Sequence, residues 1–504
     1  MIPLTTAQIA EITGGTLNDL CDPKTVVTGT VEFDSRKLTP GGLFVALKGE
    51  RVDGHEFAHA AWQQGAAAVL AFNEVDAPAI MVPKVEQVSD SARGSYALAH
   101  DTDGQVASVL AAMGKLARYV VQHTEVQVVG VTGSAGKTST KDMLATILRT
   151  AGNTVAPPGS FNNEIGHPYT ALRVQQDTQY LVAELSARGI GHVAHLAQIA
   201  PPKVGVVLNV GSAHLGEFGS REVIAQAKGE LVEALPAEGT AVLNMDDPLV
   251  WAMRSRTAAE TLSYGTHAEA DVRASNITLQ AGALAAFTLE FPDAGGHRPT
   301  HHVELQVAGE HQVSNALAAA AAAFALGLEP QRIAAALSAH VAASAHRMAV
   351  RSHGSVTLID DAYNANPESM RAGLRAARVA AGDKGKVIAV LGPMGELGAD
   401  ADREHAELGA QLAGLGVEVL VAVGAPHIAA GARAAARSVT VLEAESNAQA
   451  AQQVLDHLGQ AGHDVKDVVV LAKASNAAAL WEVTDLLAEA LAGQGIGRQG
   501  EVTQ

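Results

Sequence analysis

Cysteine is nearly absent from this chain. Cys21 is the only one in 504 residues, which excludes an internal disulfide and a cysteine-based zinc site. Basic residues are outnumbered, 35 against 53 acidic, and the net charge of −18 argues against a nucleic-acid partner held by phosphate neutralisation. It leaves room for an anionic substrate in a locally basic pocket. Long apolar runs are missing too. The alanine-rich stretch Ala316 to Ala325 falls well short of the ~20 residues a membrane span needs. The N-terminal stretch MIPLTTAQIAEITGG has neither a basic n-region nor an apolar h-region, so no signal peptide is expected. These absences predict a soluble, cytoplasmic, monomeric protein without membrane insertion. Hydrophobic content of 48% with 17% charged residues fits an ordered globular chain, too long for one core, so about three domains are expected.

The most informative stretch present is VQVVGVTGSAGKTSTKDM, Val126 to Met143. It reads as a buried strand, a glycine loop and a helix opening near Lys137. Such a turn leaves backbone N–H groups without internal partners at the positive end of a helix dipole, a seat for phosphate oxygens. Gly133 and Gly136 let the backbone curl close to the anion, Lys137 can reach the outer phosphates, and the Thr138 hydroxyl can hold Mg²⁺. The general P-loop pattern asks for glycine at position 131, where this chain has Val131. The motif is therefore the shorter Thr132-Gly133-Ser134-Ala135-Gly136-Lys137-Thr138, continued by Ser139, and it predicts nucleoside triphosphate binding.

Strand and helix patterns alternate along the rest of the chain, predicting an α/β protein of three units: residues 1–104, 105–344 and 345–504. The first is a small α/β domain with a helix over Leu4–Ile12, a helix in DGHEFAHAAWQQG, and strands at Leu43–Leu47 and Ala67–Leu70. Ser89 to Gly104 reads as a linker. The second unit adds strands at Gln179–Glu184, Val204–Val210 and Thr240–Asn244 to the phosphate strand, as in a parallel sheet covered on both faces. Val272 to Leu305 reads as antiparallel strands, followed by helices at Val313–Leu326 and Pro330–Ala339. The third unit, with strands at Val356–Ile359, Lys386–Leu391, Val417–Val423 and Asp467–Leu471, is Rossmann-like in its alternation but lacks a GxGxxG.

Three side chains stand out beside the loop. Glu184 ends its strand where ligands of open parallel sheets bind, and its carboxylate can hold Mg²⁺ there. His214 follows the next strand at the same sheet edge. Lys228 lies on an amphipathic helix and by itself would be a solvated lysine. In the third unit Asp360 and Asp361 close a strand, where they could contact a ribose or cap the helix that opens at Asn366-Pro367.

Taken in order, TGSAGKTST, FNNEIGHPYTAL, NVGSAHLGEFGS, AKGEL, GEHQVSNALAAAA, DDAYNANPESM and LGPMGELG resemble the Mur ligases, and FDSRKLTPGGLFVALKGERVDGHEF resembles their uridine-binding domain. The resemblance covers nearly the whole chain. It implies an N-terminal domain for the UDP end of the substrate, a central ATPase and a C-terminal Rossmann-like domain for the incoming amino acid or dipeptide. DDAYNANP and LGPMGELG favour the member that joins D-alanyl-D-alanine to UDP-N-acetylmuramoyl-tripeptide. ATP would phosphorylate the peptide carboxylate, and the dipeptide amine would attack the acyl phosphate through a tetrahedral intermediate. Carrying the family over residue by residue gives Lys137 to the phosphates and two Mg²⁺ ions to Thr138, Glu184 and His214. Lys228 falls at a carbamylated position. Asn315 goes to the adenine, Arg347 and Asp361 to ATP from the third domain, Ser35 and Arg36 to the uridine end, and Asn162 and Asn163 to the diphosphate-muramoyl part.

The chain departs from the family pattern at Pro393, where an acidic residue is expected, and at Lys473-Ala474-Ser475-Asn476, where Lys-Gly-Ser-Arg is frequent. Asparagine cannot supply arginine's fork for a carboxylate; Lys473 remains available to the substrate. ELSARG is a further variant, and Ser186 and Arg188 receive no role. The competing readings are a sister ligase adding a diamino acid, a folylpolyglutamate synthase, a P-loop switch protein or kinase, and a non-catalytic scaffold.

Overall fold

A computed structural model of the chain describes residues 1–49, 52–85, 98, 101–211, 218–293, 295, 298–342, 344–435, 438–460 and 467–493. Of the linker expected at Ser89–Gly104, only residues 98 and 101–104 are described, and His214 lies outside the described residues.

The phosphate strand, Gln127–Thr132, sits inside the largest sheet. Its neighbours are Tyr180–Glu184 on one side and Val204–Val207 on the other. Beyond them lie Thr154–Val155 at one edge and Thr240–Asn244, Glu260–Gly265, Val272–Leu279, Leu284–Glu290 and Thr300–Ala308 toward the other. Pairing is parallel up to Val272–Leu279, and the last two strands then run antiparallel, as the alternating pattern predicted. Buried apolar strands such as Val128–Val131 suit a sheet covered on both faces. The register decides where the chemistry can sit. Glu184 lies opposite Val131 and Val207 opposite Thr132, so three strands end together at the glycine loop.

The helix after the loop, Lys137–Arg149, packs against the alanine-rich helix His311–Ala325. All residues from Ala316 to Ala323 are fully buried, because side chains this small let one helix lie against both the sheet and a neighbouring helix. A run that hints at a membrane in composition is here a core helix, and among the described residues no helix is long and apolar enough to cross a membrane.

The C-terminal sheet has the order Ala349–His353, Val356–Asp360, Val468–Lys473, Lys386–Leu391, Val419–Val423, Thr440–Ala444, with only the first strand antiparallel. Its first helix, Pro367–Ala381, is capped by Asn366, whose side chain accepts from Ser369 N while Ser369 Oγ answers back. Asp360 and Asp361 are thus not the cap and are left for other work. At the N-terminus, Thr16–Leu17, Ala79–Met81, Ala68–Ala71, Leu43–Val45 and Val31–Glu32 form a small sheet. The helix Thr6–Thr13 beside it starts in a capping box, Thr5 with Gln8, and stops at left-handed Gly14.

Helix Gln105–Gln122 joins the first two units. It packs on Thr6–Thr13 from one side and on Gly166–Ala171 and His192–Ile199 from the other. Several element bounds differ from the sequence expectation. The strand predicted over Val204–Val210 ends at Val207, and the helix in DGHEFAHAAWQQG begins as a 3₁₀ turn, Gly54–Phe57, before Ala58–Gln63.

Candidate active site

The glycine loop is held open by its own neighbours. Asn209, just past the adjacent strand, accepts from Ser134 N and Ala135 N through Oδ1 at 3.0 and 2.9 Å and donates to Ala135 O at 3.1 Å. Thr132 is buried and donates to Leu185 O, and Gly211 N donates to Ser134 Oγ. Gly136 stands at φ +83, and a side chain there would collide with Asn315. No side chain caps the helix that begins at Lys137. Its first N–H groups therefore face a cavity of about 330 Å³ lined by Ser134 through Ser139. Lys137 Nζ is parked on Gly133 O at 2.8 Å, across the loop. Burial pulls its ammonium below lysine's ordinary range; Glu184 and Glu396 oppose that and Arg347 adds to it.

At the floor of the cavity hard oxygen atoms converge. Thr138 Oγ1 lies 3.0 Å from Glu184 Oε2 and 2.9 Å from Ser160 Oγ, while Asn162 Nδ2 donates to Glu184 Oε1 at 2.7 Å. A hydroxyl pair beside a buried carboxylate is the donor chemistry Mg²⁺ prefers, so the residues fit that ion. Among the described residues no group of three His, Cys, Asp or Glu side chains forms a metal cluster.

Lys228 is not the solvated lysine its helix pattern suggests. On helix Arg221–Glu233 it is 2% exposed, and burial, with the charge of Lys137 adding to it, holds its ammonium well below the usual 10.5. Among the described residues no carboxylate forms an ion pair with it. A buried amine beside a second cation favours its neutral form, which is a nucleophile.

The C-terminal unit closes the cavity from the other side. Arg347, flanked by the left-handed residues His346 and Met348, donates to Ser160 Oγ at 2.7 Å and stacks over Tyr363. Its buried Nε has no hydrogen-bond partner among the described residues. Asp361 accepts from Met348 N and is paired with Lys473 Nζ at 2.5 Å; that ammonium also reaches Asn364 O and is 2% exposed. Lys473 is thus engaged beneath Asp361 and lines the first cavity, away from Asn476. Asn315, bonded to Gln312, lines it as well.

A second cavity, of about 360 Å³, opens at the junction of the central and C-terminal units and meets the first at Lys137, Asn162, Tyr363 and Asn364. Asn163 and Asn476 line it, together with Ser186 and Arg188, which the sequence reading passed over. Asn163 Oδ1 accepts from Ile165 N and Gly166 N, and Ser186 clasps Asn162 O. Glu164 sits 3.6 Å from His192, whose imidazolium is disfavoured chiefly by burial. Ser35 and Arg36 line neither cavity; Arg36 is exposed and paired with Asp34. Their unit reaches the central one where Tyr169 donates to Glu32 at 2.9 Å. Asn209, Ser160 and Tyr363 are the other site residues the sequence missed. A polar residue directly after a parallel strand is the only signal that could have marked Asn209.

Comparisons with known proteins place most of the chain in one family. Three family models cover most of the chain: the Mur ligase family catalytic domain over residues 29–120, the Mur ligase middle domain over 131–323, and the Mur ligase glutamate ligase domain over 346–476. The UDP-N-acetylmuramoyl-tripeptide--D-alanyl-D-alanine ligase of Mycobacterium tuberculosis is 48% identical over 97% of this chain and 98% of its own length. The Escherichia coli ligase of the same name is 35% identical over 84% of this chain and 86% of its own. Among solved structures, MurF from Acinetobacter baumannii superposes with a TM-score of 0.82 at 30% identity, covering 97% of this chain and 99% of that one. MurF ligase from Thermotoga maritima in complex with ADP gives 0.74 at 28% identity over 95% and 100%.

Proposed function

The chain belongs to the Mur ligase family, and on that premise we propose that it joins D-alanyl-D-alanine to UDP-N-acetylmuramoyl-tripeptide with cleavage of ATP to ADP and phosphate. The observation that carries the reading is that Lys137 lines both cavities. A phosphate cradle and a second chamber meeting at one cation are what a reaction through an acyl phosphate requires.

ATP takes the first cavity, its phosphates at the N–H groups of the helix start from Lys137, with Arg347 and Asp361 reaching it from the C-terminal unit. Asn315 faces the base. The tripeptide carboxylate attacks the γ-phosphorus, the β–γ bridging bond breaks and ADP forms. Carboxylate and triphosphate repel each other, and Lys137 offsets that charge as it develops. Mg²⁺ held by Thr138 and Glu184, with Ser160 beside them and His214 as a further ligand, supplies charge neutralisation on the phosphates when bound. The dipeptide amine, deprotonated from its ammonium, attacks the acyl carbon; the C–N bond forms, the C–O bond breaks, and the departing phosphate takes up the second amine proton. Asn162 and Asn163 hold the muramoyl end of the substrate near Glu184, and Ser35 and Arg36 its uridine end. Arg347 on Ser160 and Arg188 on Glu396 draw the two units together, which keeps water from the acyl phosphate. The reaction belongs to cytoplasmic peptidoglycan precursor synthesis.

Lys228 is carbamylated in this reading. Its neutral amine adds to CO₂ with loss of one proton, which sets a carboxylate-like anion beside the charge of Lys137. The low proton affinity of the buried amine favours that addition.

Phosphate release with ATP, Mg²⁺ and UDP-N-acetylmuramoyl-tripeptide is the test, with D-alanyl-D-alanine, D-alanine or a diamino acid as acceptor. Turnover is expected with the dipeptide alone. Turnover with a diamino acid would reassign the substrate, and none with any acceptor would refute the ligase.

A further inference from the structure

The second cavity brings together two stretches that depart from the family pattern, ELSARG and Lys473-Ala474-Ser475-Asn476. One wall carries Ser475 and Asn476, neutral at the position where a carboxylate-binding arginine was expected; another carries Arg188. Of the described lining residues Lys137 and Arg188 are the lysine and arginine side chains, and Lys137 belongs to the phosphate loop, bonded to Gly133 O.

We propose that Arg188 docks the carboxylate of the incoming D-alanyl-D-alanine, in place of the arginine expected at Asn476. The proposal rests on the dipeptide being the acceptor. A dipeptide is a zwitterion of which only the amine reacts. That amine has to reach the acyl carbon near Lys137, and two extended residues place the carboxylate about 7 Å further into the cavity. A carboxylate taken from water into a chamber already holding Glu164 and Glu396 needs a cation, and a guanidinium offers the matching planar fork.

The guanidinium is oriented in advance. Arg188 Nη2 donates to Glu396 Oε1 at 2.8 Å across the domain junction, and Glu396 holds a left-handed backbone, φ +61, unusual for a residue with a side chain. Five donors on one plane let a guanidinium serve two carboxylates at once. Arg188 belongs to the central unit and Ser475 and Asn476 to the C-terminal one. A carboxylate held between them ties dipeptide binding to the approach of the two units.

The experiment compares D-alanyl-D-alanine with its C-terminal amide as acceptors for the full-length protein, with ATP, Mg²⁺ and UDP-N-acetylmuramoyl-tripeptide present. The unaltered protein prefers the acid. Arg188→Ala raises KM for the acid by about tenfold or more beyond whatever change the amide shows, and so erases the preference. Arg188→Lys keeps the charge, carries the same comparison should the alanine variant fold poorly, and retains part of the preference. Glu396→Gln removes the ion pair across the junction and still prefers the acid. An Arg188→Ala enzyme with undiminished preference for the acid overturns the proposal, as does Glu396→Gln losing that preference to the same extent. If the unaltered protein turns over neither acceptor, the ligase reading itself has failed, a result distinct from the other two.

Discussion

The two cavities share Lys137 but are framed differently. The first is organised on one run of backbone: Ser134 to Ser139 are consecutive, Asn209 fixes their curvature by accepting from Ser134 N and Ala135 N, and side chains of the C-terminal unit close it. The second is assembled from side chains on separate segments, Asn163, Arg188, Asn364, Glu396 and Asn476 among them, across two units. Buried lysines sharpen the contrast. Lys473 is surrounded by Asp361 and Asn364 O, a satisfied cation that fixes the ATP-facing carboxylate. Lys228 is as deeply buried, with Lys137 as its charged neighbour. Burial without a carboxylate disfavours a lysine's charged form, whereas a carboxylate alongside gives the ammonium a partner. The same residue type thus becomes a strut in one region and a reactive amine in the other.

That contrast can be broken at the shared residue. Lys137→Met should lower dipeptide-dependent phosphate release by about a thousandfold, because both the phosphate charge and the junction lose their cation. Lys228→Ala should lower kcat by about a hundredfold while nucleotide binding persists, and intact mass of the unaltered protein should show one added CO₂ that acid removes. A metal-bound protein carrying only free lysine would sink that assignment. The unmodified amine carries a further signature. Its folded pKa lies below the 10.5 of an ordinary lysine, so the unfolded chain binds more protons between the two values, and stability in CO₂-free buffer rises with pH across that window. Melting temperature against pH should flatten in Lys228→Met. Asn209→Ala should have the smallest effect, raising KM for ATP about tenfold with KM for the dipeptide unmoved, since it loosens only the backbone-framed cavity. Arg188→Ala is its mirror image.

Much of the fold was legible beforehand. The strands Thr240–Asn244 and Lys386–Leu391 and the helix Pro367–Ala381 begin and end where apolar runs and caps placed them. The elements that escaped are short or polar. Thr154–Val155, Glu260–Gly265 and Ala349–His353 have little apolar signal of their own and are held as strands by the neighbours they pair with. Legibility of the site followed the same division. The loop could be read because its glycines, lysine and threonine must be contiguous to wrap a phosphate. Arg188 could not, since nothing local distinguishes a pocket arginine from a solvated one. That Lys473 lies beneath Asp361, one strand away, is likewise set by the sheet and not by its neighbours in sequence.

By itself, the sequence determined the α/β class, the phosphate loop, the capped helices and the strand that ends in Glu184. Each depends on the spacing of residues within a few turns of chain. Tertiary structure alone decided which charges meet: Glu184 with Thr138, Lys473 with Asp361, Lys228 near Lys137, Arg188 with Glu396. Electrostatic energy depends on separation and on the water excluded between groups, and residues distant in sequence acquire both only when the sheets are formed and the units are in contact.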